Sequence, residues 1–339
     1  MRFAAHPSIF PVGLILLFAA LLGPCETFAM QRRGLPVRST PQGRFVQVRH
    51  VGRAYGMSLR QPEPDGPLLL SGQGRRLEFY PESRRARFDG VTVWLNVPLT
   101  RVRRHWALSE IDLFEQVEPF LHPHRFLQQQ GHRTVVLDPG HGGRDTGARG
   151  SVTVEKALTL EVALAVAERL RAAGHQVRLT RTRDEYVELV DRGTRAADLG
   201  ADLFVSLHFN AGANAEARGI ETYVLPPPGL QSTSGASPDL TEVPGNRFQG
   251  ASRVLGFTLQ RHLLDATQAE DRGLKQARFV VLRNAPSAAA LVELGFLSNP
   301  GEEALILSPA YREALAEGLS SGIADYLRMV KQAQLLARP

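Results

Sequence analysis

One cysteine, Cys25, stands in the whole 339-residue chain. A lone thiol forms no internal disulfide, and so near the N-terminus it gives the body of the protein neither a catalytic thiolate nor a cysteine pair for zinc. Any metal must then be held by histidine and carboxylate. Long apolar runs are missing too. The N-terminal apolar stretch, residues 12–22, is about half of the roughly 20 residues that a membrane span requires. Preceded by Arg2 and followed by Thr27-Phe28-Ala29, it reads as an export signal cleaved after Ala29. The mature chain would then carry no cysteine and no transmembrane span, and it would be exported, periplasmic or wall-associated. The alternative is a lipoprotein signal, Leu22-Gly23-Pro24-Cys25, with a lipid on Cys25; Pro24 fits poorly beside such a cut.

Lysine is scarce as well, the first being Lys156. Between residues 30 and 130 every basic side chain is arginine, 16 against 9 Asp and Glu, whereas from residue 131 onward 23 basic residues face 24 acidic ones. The basic excess of the N-terminal part suits an anionic envelope polymer. It equally suits a solvated surface in an arginine-favouring chain. No nucleic acid is expected as a partner, and no internal repeat is visible.

What is present is enough for about two domains, given this length and 43% hydrophobic residues. Residues 30–43 read as a linker. From 44 to 124, runs such as Arg76-Leu77-Glu78-Phe79-Tyr80 and Val91-Thr92-Val93-Trp94-Leu95 alternate between turn residues, the mark of β-hairpins. This predicts a small β-rich α+β module for targeting or wall binding, followed by a hinge at 125–132. From 133 to 330, strand and helix alternate. Strands are expected at 133–138, 177–180, 202–207, 219–225, 279–282 and 288–293. Helices are expected at 154–173, 190–199, 248–267 (capped by Asn246) and 310–334. Such alternation predicts an α/β, three-layer domain around a mostly parallel sheet. The proline-rich stretch 226–245 reads as a loop.

Four residues of this second part sit where chemistry is done. His141 lies in Asp138-Pro139-Gly140-His141-Gly142-Gly143, directly after a strand. Glu155 opens a helix, where the dipole favours its ionised form. His208 and Glu293 each end an apolar strand, and open α/β sheets place their sites just beyond strand ends. Taken singly, His141, Glu155 and His208 have plain structural readings, whereas a carboxylate after an apolar strand, as at Glu293, is costly unless paired or functional. Together, His141, Glu155 and His208 make three zinc ligands with a position left open, and Glu293 is the candidate general base. An amide is a poor electrophile, so a Lewis acid that activates water and polarises the carbonyl suits its hydrolysis. Asp138 and Asp145, which flank His141, are read as supporting or turn residues.

These motifs, with Glu155-Lys156, Thr182-Arg183-Asp184, Arg192, Ser206-Leu207-His208 and Val292-Glu293-Leu294-Gly295-Phe296-Leu297-Ser298-Asn299, resemble the zinc-dependent N-acetylmuramoyl-L-alanine amidases of the amidase-3 type, over residues 133–327. The resemblance implies Zn2+ on His141, Glu155 and His208, catalysis by Glu293, and peptidoglycan as substrate, cut between N-acetylmuramic acid and L-alanine for wall remodelling or daughter-cell separation. Two departures are visible. Phe209 stands where the family often has a small residue, which would alter the pocket floor. The loop 226–245 occupies an interval where some regulated members carry an inhibitory helix. The competing readings are a non-catalytic wall-binding or regulatory protein and another zinc amidohydrolase. The N-terminal module is faintly similar to the small domain at the front of copper amine oxidases, which implies no copper or redox chemistry.

Overall fold

Alternating apolar and polar residues between tight turns bury one face of each strand, and in the N-terminal part they fold accordingly. The computed structural model describes residues 34–337; the expected export signal lies outside the described residues. Strands β1 (Val37–Thr40) and β2 (Gly43–Gln47) lead into helix α1 (Val48–Ala54). A meander follows: β3 (Ser58–Arg60), β4 (Leu68–Gly72), β5 (Arg75–Phe79), β6 (Arg85–Phe88) and β7 (Val91–Trp94). Strands β8 (Thr100–Val102) and β9 (His105–Ser109) return to β2, closing a four-stranded antiparallel sheet in the order β1-β2-β9-β8. Part of the stretch expected as linker is therefore strand, because Val37–Thr40 pairs with residues 43–46.

The second part begins with β10 (Thr134–Pro139), then α2 (Glu155–Ala172), β11 (Gln176–Leu179), α3 (Asp191–Asp198) and β12 (Leu203–Asn210). It continues through β13 (Ile220–Val224), α4 (Gln249–Thr267), β14 (Asp271–Gln276), β15 (Ala288–Phe296), α5 (Pro300–Leu307) and α6 (Pro309–Leu336). Strands β11, β10, β12 and β15 are parallel neighbours, β13 runs antiparallel to β15, and β14 runs parallel to β13. The sheet does not stop there. Strand β7 pairs with the free edge of β14, giving an 11-stranded mixed sheet that runs from β11 to β3.

Helices α2, α4 and α6 cover one face of the parallel strands. The other face is covered by α3 and a short helical turn, Val280–Arg283, around a core that includes Val136, Phe204, Leu225, Leu282 and Leu291. That turn replaces the strand expected at 279–282: its β-branched run is apolar because it caps the sheet, not because it joins it. Asn246 does not cap α4. It sits in the 3-10 turn Pro244–Phe248, where its Oδ1 accepts from Val243 N and its Nδ2 donates to Pro226 O. The segment expected as a hinge is fastened to the second part: Gln334 Nε2 donates to Gln130 O at 2.7 Å, and Arg133 N donates to Asp202 Oδ2 at 2.8 Å.

Candidate metal centre

Parallel strands bring their C-terminal ends to one side of a sheet, and here they bring the four expected residues together. After β10 the chain turns through His141, whose backbone adopts φ 60°. Its Nε2 lies 3.0 Å from Glu155 Oε2, and its Nδ1 lies 2.8 Å from Asp145 Oδ2. Glu155 opens α2 and is buried. Its Oε1 accepts from Phe209 N at 3.0 Å and lies 2.8 Å from His208 Nδ1, while its Oε2 accepts from Ala148 N at 2.7 Å. One nitrogen from each histidine and one oxygen of Glu155 all lie within 4.8 Å of one another.

Two glycines make this closeness possible. A Cβ on Gly147, which adopts φ +63°, would stand 2.4 Å from Glu155 Oε2 and 2.5 Å from His141 Cδ2. A Cβ on Gly140 would stand 2.4 Å from His208 Cε1. Gly147 carried no signal in the sequence beyond being one glycine among several after His141.

Charge at the cluster follows from burial against pairing. Burial pushes the Glu155 carboxyl up, but hydrogen bonds from His141 and His208 outweigh it and hold the group far below the usual carboxylate range. Burial pushes His141 down, and its bonds to Glu155 and Asp145 outweigh that and raise it. The buried carboxylate is thus ionised and demands positive charge between the two imidazoles. Were a cation to take the place of the proton on His141 Nε2, Asp145 would accept from Nδ1–H and the Nε2 lone pair would face that cation. The donor set fits a small divalent cation.

Glu293 stands in register with His208 on one side and Glu221 on the other. Its Oε2 is buried without a hydrogen-bond partner. Burial raises its carboxyl well above the usual range, the negative charges of Glu155 and Glu221 raise it further, and Lys275 opposes them. A carboxyl with one free, desolvated oxygen beside a cation site is suited to move a proton.

Asp138 is no ligand. It is fully buried and takes hydrogen bonds from Thr180 Oγ1 (2.6 Å), Ser206 Oγ (2.7 Å) and Arg192 Nη1 (2.8 Å). Arg192 also donates to the His141 carbonyl at 2.8 Å, so it braces the loop that carries His141. Arg181, which the sequence did not single out, does the same with Pro139 O (3.0 Å) and Gly140 O (2.8 Å). Asp184 accepts from Gly143 N at 2.7 Å and pairs with Lys156 at 2.6 Å. Phe209 is buried, and its backbone N–H is one of the donors that hold Glu155.

The profile of the family described as N-acetylmuramoyl-L-alanine amidase (Amidase_3) matches residues 135–325, more than half of the chain. The chain belongs to this amidase family. AmiA of Escherichia coli strain K12 is 34% identical over 227 residues, covering 58% of this chain and 76% of its own. AmiC of Neisseria meningitidis serogroup B is 31% identical over 276 residues, covering 74% of this chain and 65% of its own. Among solved structures, an N-acetylmuramoyl-L-alanine amidase from Clostridium difficile 630 superposes with a TM-score of 0.50 at 36% identity, over 58% of this chain and 97% of that one. The catalytic domain of CwlV from Paenibacillus polymyxa gives 0.50 at 32%, over 58% and 99%. The amidase match thus takes in the metal cluster and all the strands that position it.

Proposed function

We propose that this amidase cleaves the bond between N-acetylmuramic acid and L-alanine of peptidoglycan with a zinc ion held by His141, Glu155 and His208, and with Glu293 as its proton shuttle. The observation that carries this reading is the unpartnered Oε2 of Glu293, aimed beside a cluster of two imidazoles and one ionised carboxylate. When bound, zinc supplies Lewis acidity toward the amide carbonyl and an electrophilic anchor for water. The protein's own groups do the rest. Asp145 fixes the His141 ring, and backbone N–H groups of Ala148 and Phe209 aim the Glu155 carboxylate. Glu293 takes the proton of the attacking water on Oε2 and delivers it to the L-alanine nitrogen as the C–N bond breaks, because an amine nitrogen is too basic to leave as its anion.

The reading extends to place and anchorage. Export through residues 1–29 would put the enzyme in the periplasm or at the wall. Residues 44–124 would serve as its targeting module, whose arginines suit an anionic envelope polymer. Among the described residues no helix is long and apolar enough to cross a membrane.

Purified residues 30–339 are to be incubated with isolated peptidoglycan, with chelator and with zinc restored, and the products identified by mass. Released stem peptides that vanish with chelator and return with zinc are expected. Glu293→Gln should keep zinc and fold but lose about 10²–10⁴ in turnover, whereas His141→Ala should lose zinc. Loss of zinc in Glu293→Gln would overturn this division of roles.

A further inference from the structure

Next to Glu293, on the neighbouring strand β13, lies a second carboxylate that the reaction does not use. Glu221 is buried, 2% exposed, and is paired in register with Glu293. Four donors saturate it. Asn210 Nδ2 (2.9 Å) and Tyr223 OH (2.7 Å) bond Oε1, while Arg272 Nε (2.8 Å) and Lys275 Nζ reach Oε2. A carboxylate so enclosed touches no substrate. It holds other groups in place.

Two of those groups are cations facing one negative charge. Residues three apart on a strand normally point to opposite faces, but the pairing of β13 with β14 slips between Ile220 and Glu221, leaving Arg272 as the extra residue of a bulge. The bulge turns both Arg272 and Lys275 toward Glu221. Arg272 is then occupied, its guanidinium lying 4.7 Å over the Phe296 ring. Lys275 keeps donors to spare: its ammonium also lies 5.8 Å over the Tyr223 ring, but among the described residues its ion pair is with Glu221 alone, which uses one of three N–H donors, and its side chain stays 14% exposed. Its ammonium is thereby fixed on the carboxylate of Glu221, which stands in register with Glu293 on the adjacent strand, while Lys275 itself belongs to β14, two strands from β15.

We propose that Lys275, positioned by Glu221, binds a carboxylate of the stem peptide and makes the enzyme prefer acidic stems over amidated ones. This rests on the amidase reading above. The acid of the sugar is consumed in the scissile amide, so the anion must come from the peptide side. Two strand spacings are roughly 10 Å, and at about 3.4 Å per extended residue plus the length of a side chain, a carboxylate on the residue that follows L-alanine spans that distance from the scissile bond to Lys275.

The test uses two soluble muramoyl peptides that differ only in a carboxylate or a carboxamide on that residue. Binding is measured calorimetrically to residues 30–339 carrying Glu293→Gln, and turnover is measured with the unsubstituted enzyme. Tighter binding of the acid by about 10- to 100-fold is expected, the range of one charge-assisted hydrogen bond. Adding Lys275→Met should reduce the ratio to near one, and Lys275→Arg should retain most of it. Equal binding of acid and amide by the Glu293→Gln protein would overturn the inference, as would a ratio unmoved by Lys275→Met. Should Lys275→Met not fold, the acid-to-amide ratio of the Glu293→Gln protein and the Lys275→Arg variant still decide. Cleavage of both peptides at equal rates would leave the amidase reading standing without this inference; cleavage of neither would bring down the reading itself.

Discussion

Asp145 meets the metal cluster at a single point, the Nδ1 of His141 at 2.8 Å. That contact decides which ring nitrogen carries the proton, and so which one is free for a cation. Asp145→Ala should leave the fold intact and weaken zinc binding about 10–100-fold, as read by competition with a metallochromic chelator. Unchanged affinity would mean that the Glu155 side alone orients the ring. Glu221 supports a different kind of prediction. Burial pushes its carboxyl up, but Lys275 and Arg272 outweigh burial and hold it below the usual range. A group whose pKa is depressed by folding contributes stability above its unfolded pKa and loses it as pH falls through the folded value. Glu221→Gln should therefore be less stable at pH 7, by about 3 kcal/mol for a broken buried pair. The gap in melting temperature should narrow as pH drops below the ordinary carboxylate range, where the unsubstituted protein loses its own pairing. A gap constant from pH 7 to pH 3 would contradict the assignment.

Elements were legible in the sequence where one period settled them. Strands β10, β12 and β15 are apolar on both faces because helices cover both, and α2 shows a broad apolar face bounded by Gly174; the proposed metal ligands and Glu293 sit at the boundaries of these strong signals. Where the cause is non-local, the sequence is mute. Strand β14, Asp271-Arg272-Gly273-Leu274-Lys275-Gln276, looks like a polar loop because its charges answer Glu221, some fifty positions away. Buried Arg181 is equally unreadable, since its partners are carbonyls around Pro139 and Gly140. Topology also decides what the loop 226–245 can do. Strand β13 runs antiparallel to β15, so its end at Val224 lies beside the beginning of β15 and away from Glu293. The loop is held there by Arg278, which donates to Pro227 O and Leu230 O, and by Thr233 N on Gln276 O at 2.8 Å. A segment tied to the far end of the sheet does not plug the site. The purified enzyme should therefore cleave peptidoglycan without an activator, and replacing residues 229–240 by a short Gly/Ser link should change kcat less than threefold. A severalfold rise in kcat on this replacement would show that the loop restrains the enzyme after all.

At the scale of the whole molecule, the two parts read from the sequence share one sheet. Strand β7 seals the edge of β14, with Thr92 N on Asp271 Oδ2 at 2.6 Å and Trp94 Nε1 on Arg272 O at 2.9 Å. Behind that seam, Phe88 packs on Phe120 and Phe120 on Phe257 of α4, with ring centroids 5.0 and 4.9 Å apart. Charge crosses it too: buried Arg253 of α4 has its nearest acid, Glu115, at 3.9 Å on the N-terminal side. The solved relatives matched over 97% and 99% of their own chains correspond to only 58% of this one. In this chain the surface beneath β7 carries the Phe257 ring and the buried Arg253, whose nearby acid lies on the N-terminal side. Removing residues 34–130 would bare an unpaired strand edge, an invitation to edge-to-edge association. It would also expose several ring faces, each worth about 1.5–3 kcal/mol when buried. A fragment of residues 131–339 should therefore melt about 10 °C or more below residues 30–339, at roughly 2–4 °C per kcal/mol for this size, and should associate in light scattering. A monomeric fragment with the same melting temperature would show that the shared sheet is contact without consequence. The predicted loss would instead mean that the N-terminal strands are a structural part of the amidase, so that substitutions in β7 reach the metal centre through β14, Arg272 and Glu221.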